Sequence, residues 1–339
     1  MGSERLIIRN IKLENFRCHK NHQKRFARST TKILGPNGCG KTSVLEAVYI
    51  TMRGKSFRAV DREIINYDQN YYRIELEYSD GRKIIAFYQD EKKQFLIDGK
   101  KTLRLPKEHR YPVVIFEPKD LHIIESSPSR RRSFFDRIFS QLNPEYSIYL
   151  SRYNKALQQR NKAFKDEFLR PDMVFPWNML LAEYGCKLKE MRHEFIEQIN
   201  EQITQVYQKI TGQKDQISIQ YNNTKMNHKS KDISESQFLQ ILEKNFERDK
   251  ILGCTEIGIH HDQYQFKFNN QLADGSASRG ECRSIIIALK FIEAELVAKY
   301  DGRQPLILLD DVFSELDKKH CISLTENFHN HQVILTSVS

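Results

Sequence analysis

The hydrophobic positions alternate along the first stretch of the chain. Leu6, Ile8, Ile11 and Leu13 predict a strand from Leu6 to Arg17. Lys20, Lys24, Arg25 and Arg28 carry no apolar rhythm and predict a basic loop. Ile33-Leu34 is a short apolar run. After it, Val44, Leu45, Val48 and Tyr49 follow helical spacing, which predicts a helix from Thr42 to Met52. Period two returns at Ile74, Leu76 and Tyr78, at Ile85 and Phe87, and at Phe95 and Ile97. Asp80-Gly81 and Asp98-Gly99 are hairpin turns by composition, so residues 71–105 predict a small antiparallel sheet. Val113–Phe116 reads as a buried strand.

The period then becomes helical. A helix start is read near Pro128, and Tyr146, Tyr149, Leu150, Tyr153 and Leu157 line one helix. A longer one runs from Trp177 through Leu181, Tyr184, Leu188, Phe195, Ile199 and Ile203 to Ile210, stopped by Gly212. The two are expected to pack antiparallel. The polar, Lys-rich residues 222–233 read as a loop, and Ser234 with Gln237 as the capping box of another helix. Tyr264, Phe266 and Phe268 alternate as a strand, and Asp274–Ala277 reads as a turn. A helix follows over Ile285–Lys299, then buried strands at Leu306–Leu309 and Val333–Thr336.

Composition changes this picture in one respect. Hydrophobic residues make up 39% and charged residues 29%, as in an ordinary water-soluble protein. No run approaches the roughly 18 apolar residues of a membrane span, and the N-terminus lacks an apolar signal core, so a cytoplasmic protein without membrane contact is expected. The six cysteines are scattered and form no CxxC, which argues against zinc and dithiol redox sites. The net charge of +10, however, favours an anionic partner such as nucleic acid.

The chemistry is concentrated in three places. Gly35-Pro36-Asn37-Gly38-Cys39-Gly40-Lys41-Thr42 fits GxxxxGK[ST] between a strand and a helix, the context a P-loop needs. Glycines let backbone N–H groups turn toward phosphate oxygens, and the helix adds the positive end of its dipole. Lys41 is expected on the β- and γ-phosphates, with Ser43 beside it, and Thr42 on Mg²⁺. Arg58, in Gly54–Arg58, is read either as a phosphate contact or as a solvated arginine. Leu306–Leu309 followed by Asp310-Asp311 is a Walker B signal. Asp310 is then the second Mg²⁺ residue and Asp311 the group that orients or deprotonates the attacking water, so the catalytic pair is Lys41 and Asp311, acting on a nucleoside triphosphate. Arg130-Arg131-Arg132 reads as a DNA or nucleotide contact or as a charged surface.

Ser278-x-Gly280 at a helix start, shortly before the Walker B strand, resembles the signature motif of ABC-type ATPases. That resemblance implies that Ser278 and Gly280 receive the γ-phosphate of ATP held by a second copy, so that ATP drives a homodimer. Ser314–Asp317 resembles the D-loop of the same family. The strand ending Asn15-Phe16-Arg17 and the wide gap between the Walker motifs are similar to SMC-type heads, here with a short insert and no zinc hook. Leu45–Tyr49, Gly54–Arg58, Pro112–Phe116, Asp120-Leu121, Ser127-Pro128, Arg130–Arg132, Gln159–Asn161 and Trp177 together narrow the resemblance to the RecF family of bacterial recombination and repair ATPases.

The implied fold is α/β: an ABC-type ATPase head, with a mixed sheet bearing the P-loop, an antiparallel subsheet and an inserted, mostly helical lid. The implied domains are 1–121 (lobe I), 122–250 (lid, lobe II) and 251–339 (signature motif and Walker B, returning to lobe I). The implied activity is weak, DNA-stimulated hydrolysis of ATP with Mg²⁺. The homodimer would clamp duplex DNA near single-stranded gaps and, with RecO and RecR, help to load RecA. Lys24, Arg25 and Arg28 are candidate DNA contacts. The competing reading is an ABC-type ATPase that drives a protein or transporter partner without nucleic acid. Two departures from the family pattern stand out. Gly258–Gln263 reads GIHHDQ, and Glu281 replaces the glutamine that usually follows the signature glycine, placing a carboxylate near the expected phosphate unless it points away or pairs with Arg279 or Arg283.

Overall fold

The computed structural model describes residues 7–222 and 233–338. In chain order it contains β1 (Ile8–Phe16), β2 (His19–Arg25), β3 (Thr30–Leu34), α1 (Lys41–Arg53), β4 (Tyr71–Tyr78), β5 (Lys83–Gln89), β6 (Lys92–Ile97), β7 (Lys100–Thr102) and β8 (Val113–Phe116). Next come α2 (Pro128–Leu142), α3 (Pro144–Ala163), α4 (Pro171–Thr211), β9 (Ile217–Asn222), α5 (Glu235–Lys244), α6 (Phe246–Leu252), β10 (Gln263–Phe268), β11 (Gln271–Leu272), α7 (Ala273–Ser276) and α8 (Arg279–Asp301). The chain closes with β12 (Leu306–Asp310), α9 (Lys318–Asn327) and β13 (Val333–Ser337). Two compact units result: residues 1–120 with 293–339, and residues 121–292.

The first unit holds two sheets. One is four-stranded and parallel, in the order β3-β13-β12-β8. Its centre is buried on both faces, as the unbroken apolar runs of β8 and β12 require. The other is six-stranded and antiparallel, in the order β2-β1-β4-β5-β6-β7. Its alternating side chains, Ile11, Leu13, Ile74, Leu76 and Ala86 among them, join one apolar core with Val44, Leu45 and Val48 of α1. The α/β reading is borne out, with parallel and antiparallel strands in separate sheets. The expected 71–105 subsheet is the continuation of β1, not an isolated insert.

Two local readings are corrected and one turn is added. The basic stretch after Arg17 is not a loop but the edge strand β2, paired residue for residue with β1. Its sequence, HKNHQKR, contains no apolar residue because an edge strand buries little, so no hydrophobic period announces it. Asp90-Glu91 also turns a hairpin, both residues in the left-handed region, without the glycine that marked the other two turns. The Asp274–Ala277 turn is largely the short helix α7.

In the second unit α3 and α4 run antiparallel as expected. Tyr149 stacks on Tyr184, Arg152 donates to the Tyr184 hydroxyl, and Arg160 donates to Asn178 Oδ1 at 2.6 Å. Arg160 is fully buried, ion-paired with Asp249 at 2.6 Å and bonded to Thr255. Such a charge is tolerated only with several partners. Arg192 likewise bonds Asp136, Asp262 and Tyr146. The Ser234–Gln237 capping box forms at the start of α5. The expected 222–233 loop lies almost wholly outside the described residues. Strand β9, whose Ile217, Ile219 and Tyr221 alternate, pairs with β10, which pairs with β11 in a three-stranded sheet. That sheet keeps residues 251–292 in the second unit, so the return to the first comes at Glu293 rather than at 251.

Candidate nucleotide site

The first unit's site is built where β3 ends and α1 begins. Gly38 and Gly40 have φ of +83° and +91°, a left-handed backbone that glycine adopts without a Cβ clash. At Gly40 a Cβ would also run into Cys18 and His19. His19 Nε2 lies 3.1 Å from the Gly40 carbonyl oxygen, so the β1–β2 hairpin is seated on the loop. Gly40 caps α1 with no side-chain hydrogen bond, and the first turn holds no acidic residue. The helix start is therefore left to its own N–H groups and dipole, the arrangement that receives anions. Lys41 is buried, and its ammonium donates to the carbonyls of Gly35 and Pro36 at 2.6 and 2.8 Å.

The two Walker segments meet. Thr42 Oγ1 donates to Asp310 Oδ1 at 2.7 Å, although 268 residues separate them. Thr336 Oγ1 on β13 donates to the same carboxylate oxygen at 2.9 Å and accepts from the Asp311 N–H at 2.9 Å. The sheet order explains this third residue, because β13 lies between β3 and β12. Asp311 leaves the strand with a left-handed φ of +51°, and its Oδ1 is buried without a hydrogen-bond partner. A buried orphan carboxylate oxygen beside a second carboxylate and a hydroxyl is an oxygen-only, anionic donor set, the kind Mg²⁺ takes.

These groups face a cleft of about 610 Å³, lined among others by Asn37, Gly38, Gly40, Lys41, Thr42, Ser43, Arg58 and Asp311. Asp310 stands behind Thr42. Cys39 is exposed and lies against Gly35. Sequence reasoning missed Arg17, Asn66 and Tyr67, which line the same cleft. Arg17 has φ of +52° and donates to both carboxylate oxygens of Glu46 at 2.9 Å. Its pKa is held above the ordinary value by that hydrogen bond. Glu46 is buried within α1 and also accepts from Ser56 Oγ at 2.5 Å, and Ser56 Oγ in turn accepts from the Arg58 N–H at 2.9 Å. One buried carboxylate thus fixes two arginine-bearing segments of the cleft wall. A glutamate amid the apolar stripe of α1 was the available signal.

The signature segment belongs to the second unit. Ser278 and Gly280 are exposed at the start of α8. Glu281 pairs with neither arginine that the sequence suggested. Its Oε2 accepts from the Ser278 N–H at 2.7 Å, and the Glu281 N–H donates back to Ser278 Oγ at 3.3 Å, a capping box. The arginine triplet is largely structural. Arg131 donates to the carbonyls of Ile124 and Ser126, and Arg132 to that of Asp262. Of the three, only Arg130 is exposed.

Comparison with known proteins fits this geometry. A family model described as AAA ATPase domain matches residues 7–252. The chain is 35% identical to the DNA replication and repair protein RecF of Natranaerobius thermophilus, over 96% of this chain and 90% of the relative. It is 33% identical to RecF of Ruminiclostridium cellulolyticum, over 98% and 92%. Among solved structures it is similar to the recombination mediator protein RecF-ATP of the RecFOR pathway, with a TM-score of 0.88 and 26% identity over 100% of this chain and 93% of that one. An SMC head, 14% identical with a TM-score of 0.51, shares the fold. The chain belongs to the RecF family of DNA replication and repair proteins and carries an AAA ATPase domain.

Proposed function

We propose that the chain binds and hydrolyses ATP with Mg²⁺, and that ATP closes two copies on duplex DNA near single-stranded gaps. In that reading RecR and RecO type proteins are its partners in loading RecA. The observation that carries the reading is the 2.7 Å hydrogen bond from Thr42 to Asp310, which unites P-loop and Walker B in one cleft. The family relatives named for DNA replication and repair, and the solved RecF-ATP, support the ligand and the setting.

Each group has a role. The uncapped start of α1 and the loop N–H groups take the phosphates, and Lys41 supplies their countercharge. Thr42 and Asp310 would hold Mg²⁺, which would supply positive charge against the phosphate oxygens. Asp311 orients the attacking water. Arg17 and Arg58 add positive charge along the wall. Ser278 and Gly280 contribute to the γ-phosphate site of the other copy. The family expects an amide at Glu281, but its carboxylate is engaged in the capping box, as an amide there would be.

The DNA reading draws on charge. The first 60 residues hold 13 Lys and Arg against 3 acidic residues, so a surplus equal to the whole chain's +10 lies there. Lys20, Arg25 and Arg28 are exposed and Lys24 half-buried, on or just after the edge strand β2. Contacts of this kind go to the phosphate backbone and weaken steeply with salt. The test is retention of a duplex across a salt series, with and without ATP. Tighter retention with ATP, falling linearly in log–log form, is expected. Equal retention with and without ATP overturns the clamp, and no retention at low salt favours a protein partner instead.

A further inference from the structure

Tyr67 is the anomaly of the nucleotide cleft. It is 92% exposed, the highest value for a large hydrophobic side chain among the described residues. It nevertheless lines the same cleft as Lys41 and Thr42. An aromatic ring left in water is usually carried by a loop that moves. Here the loop is fastened on both sides. The Asn66 N–H donates to the Asn15 carbonyl at 2.9 Å, and its side-chain amide donates to the Arg17 carbonyl. The Arg17 N–H donates to the Ile64 carbonyl at 2.7 Å, and Ile65 forms a bridge with Phe16. Gln69 N–H closes the turn on the Asn66 carbonyl at 3.2 Å, with Asp68 in the left-handed region. Asn15 and Arg17, the anchors on the other side, are themselves left-handed residues, so the contact is built from two constrained turns.

We infer that Tyr67 is the platform on which the base of the bound nucleotide stacks, and that it makes the site prefer purine over pyrimidine triphosphates. The inference rests on the ATP reading above. A solvent-facing ring on a tethered loop at the rim of this cleft lacks one thing, a flat apolar partner. The base is the part of a nucleoside triphosphate that the P-loop does not grip. Stacking suits every base but favours the larger purine surface. The Asn66 side chain is engaged with the Arg17 carbonyl and so tethers the loop instead of reading the base edge.

The experiment is equilibrium binding of ATP, CTP and inorganic tripolyphosphate to the full chain and to Tyr67→Ala and Tyr67→Phe. Tyr67→Ala is expected to weaken ATP by about tenfold, the scale of one base–aromatic stack. It should weaken CTP less and leave tripolyphosphate unchanged, while Tyr67→Phe binds ATP like the parent. Unchanged ATP affinity in Tyr67→Ala overturns the inference, as does an equal loss for tripolyphosphate. If no triphosphate binds to any of the three proteins, the ATP reading itself fails. Melting temperatures of the variants separate a lost platform from a lost fold.

Discussion

Two helices of this chain begin with the same ingredients and end up opposite in character. At the start of α1 stand Gly40, Lys41 and the hydroxyl of Thr42; at the start of α8 stand Ser278, Gly280 and Glu281. The first start has no side-chain cap and no acidic residue in its opening turn. The second is closed on itself, with Glu281 and Ser278 occupying each other's N–H groups. A helix start that forgoes its cap gives up roughly 1 kcal/mol of local stability and keeps its donors for something else. Around α1 the surrounding chain converges on that start: Asp310, Asp311 and Thr336 from the sheet, Arg17 and Arg58 through Glu46. Around α8 the local segment is content with itself. By this measure the α1 start keeps its N–H groups for an anion, and the α8 start spends its own on a capping box.

The contrast can be broken in order of expected effect. Lys41→Ala should reduce ATP affinity by at least about 100-fold in a fluorescent-nucleotide titration, since it removes the buried countercharge; an unchanged Kd breaks the assignment of the α1 start. Asp311→Asn should keep ATP affinity within about threefold while slowing hydrolysis by about 100-fold or more. In sizing with ATP it should elute as a dimer. A monomer at micromolar protein counts against the role of Ser278 in the partner's site. Glu46→Ala removes the carboxylate under Arg17 and Ser56, and about 2–3 kcal/mol of stability should be lost in urea unfolding; a change below about 0.5 kcal/mol means that the network merely decorates the cleft. Glu281→Gln is the smallest. The amide can make the same capping box, so unfolding should shift by less than about 0.5 kcal/mol, and ATP binding to the single chain should not move. A lost ATP site in that variant erases the distinction between the two helix starts.

Much of this was legible in the sequence, for reasons particular residues make plain. Gly35–Thr42 and Asp310-Asp311 could be read because phosphate and metal chemistry leaves little freedom in residue type or spacing. The antiparallel sheet announced itself through Asp80-Gly81 and Asp98-Gly99. Strand β2 did not, since an edge made of His, Lys, Asn, Gln and Arg has no inward face to mark. Asn66, Tyr67 and Thr336 were invisible for another reason. Nothing in their neighbourhoods differs from an ordinary loop or strand end, and only the hairpin bonds and the interposed strand β13 bring them to the cleft. Glu281 read as an electrostatic problem because the sequence shows its charge and not the N–H that engages it.

The position of β13 has a consequence for how this protein comes into being. Strand β3, which presents the P-loop, pairs among the described residues with β13 alone, and Gln332 just before β13 also receives and returns hydrogen bonds to Ile8. On a ribosome the P-loop is made long before its sheet neighbour. At about 5–20 residues per second, tens of seconds separate the two. Until then Thr42 has neither Asp310 nor Thr336 within reach, and a glycine-rich loop without its strand partner holds no fixed shape. The sheet that presents the P-loop, and the Thr42–Asp310–Thr336 bonds behind it, can therefore form only once β13 has been made.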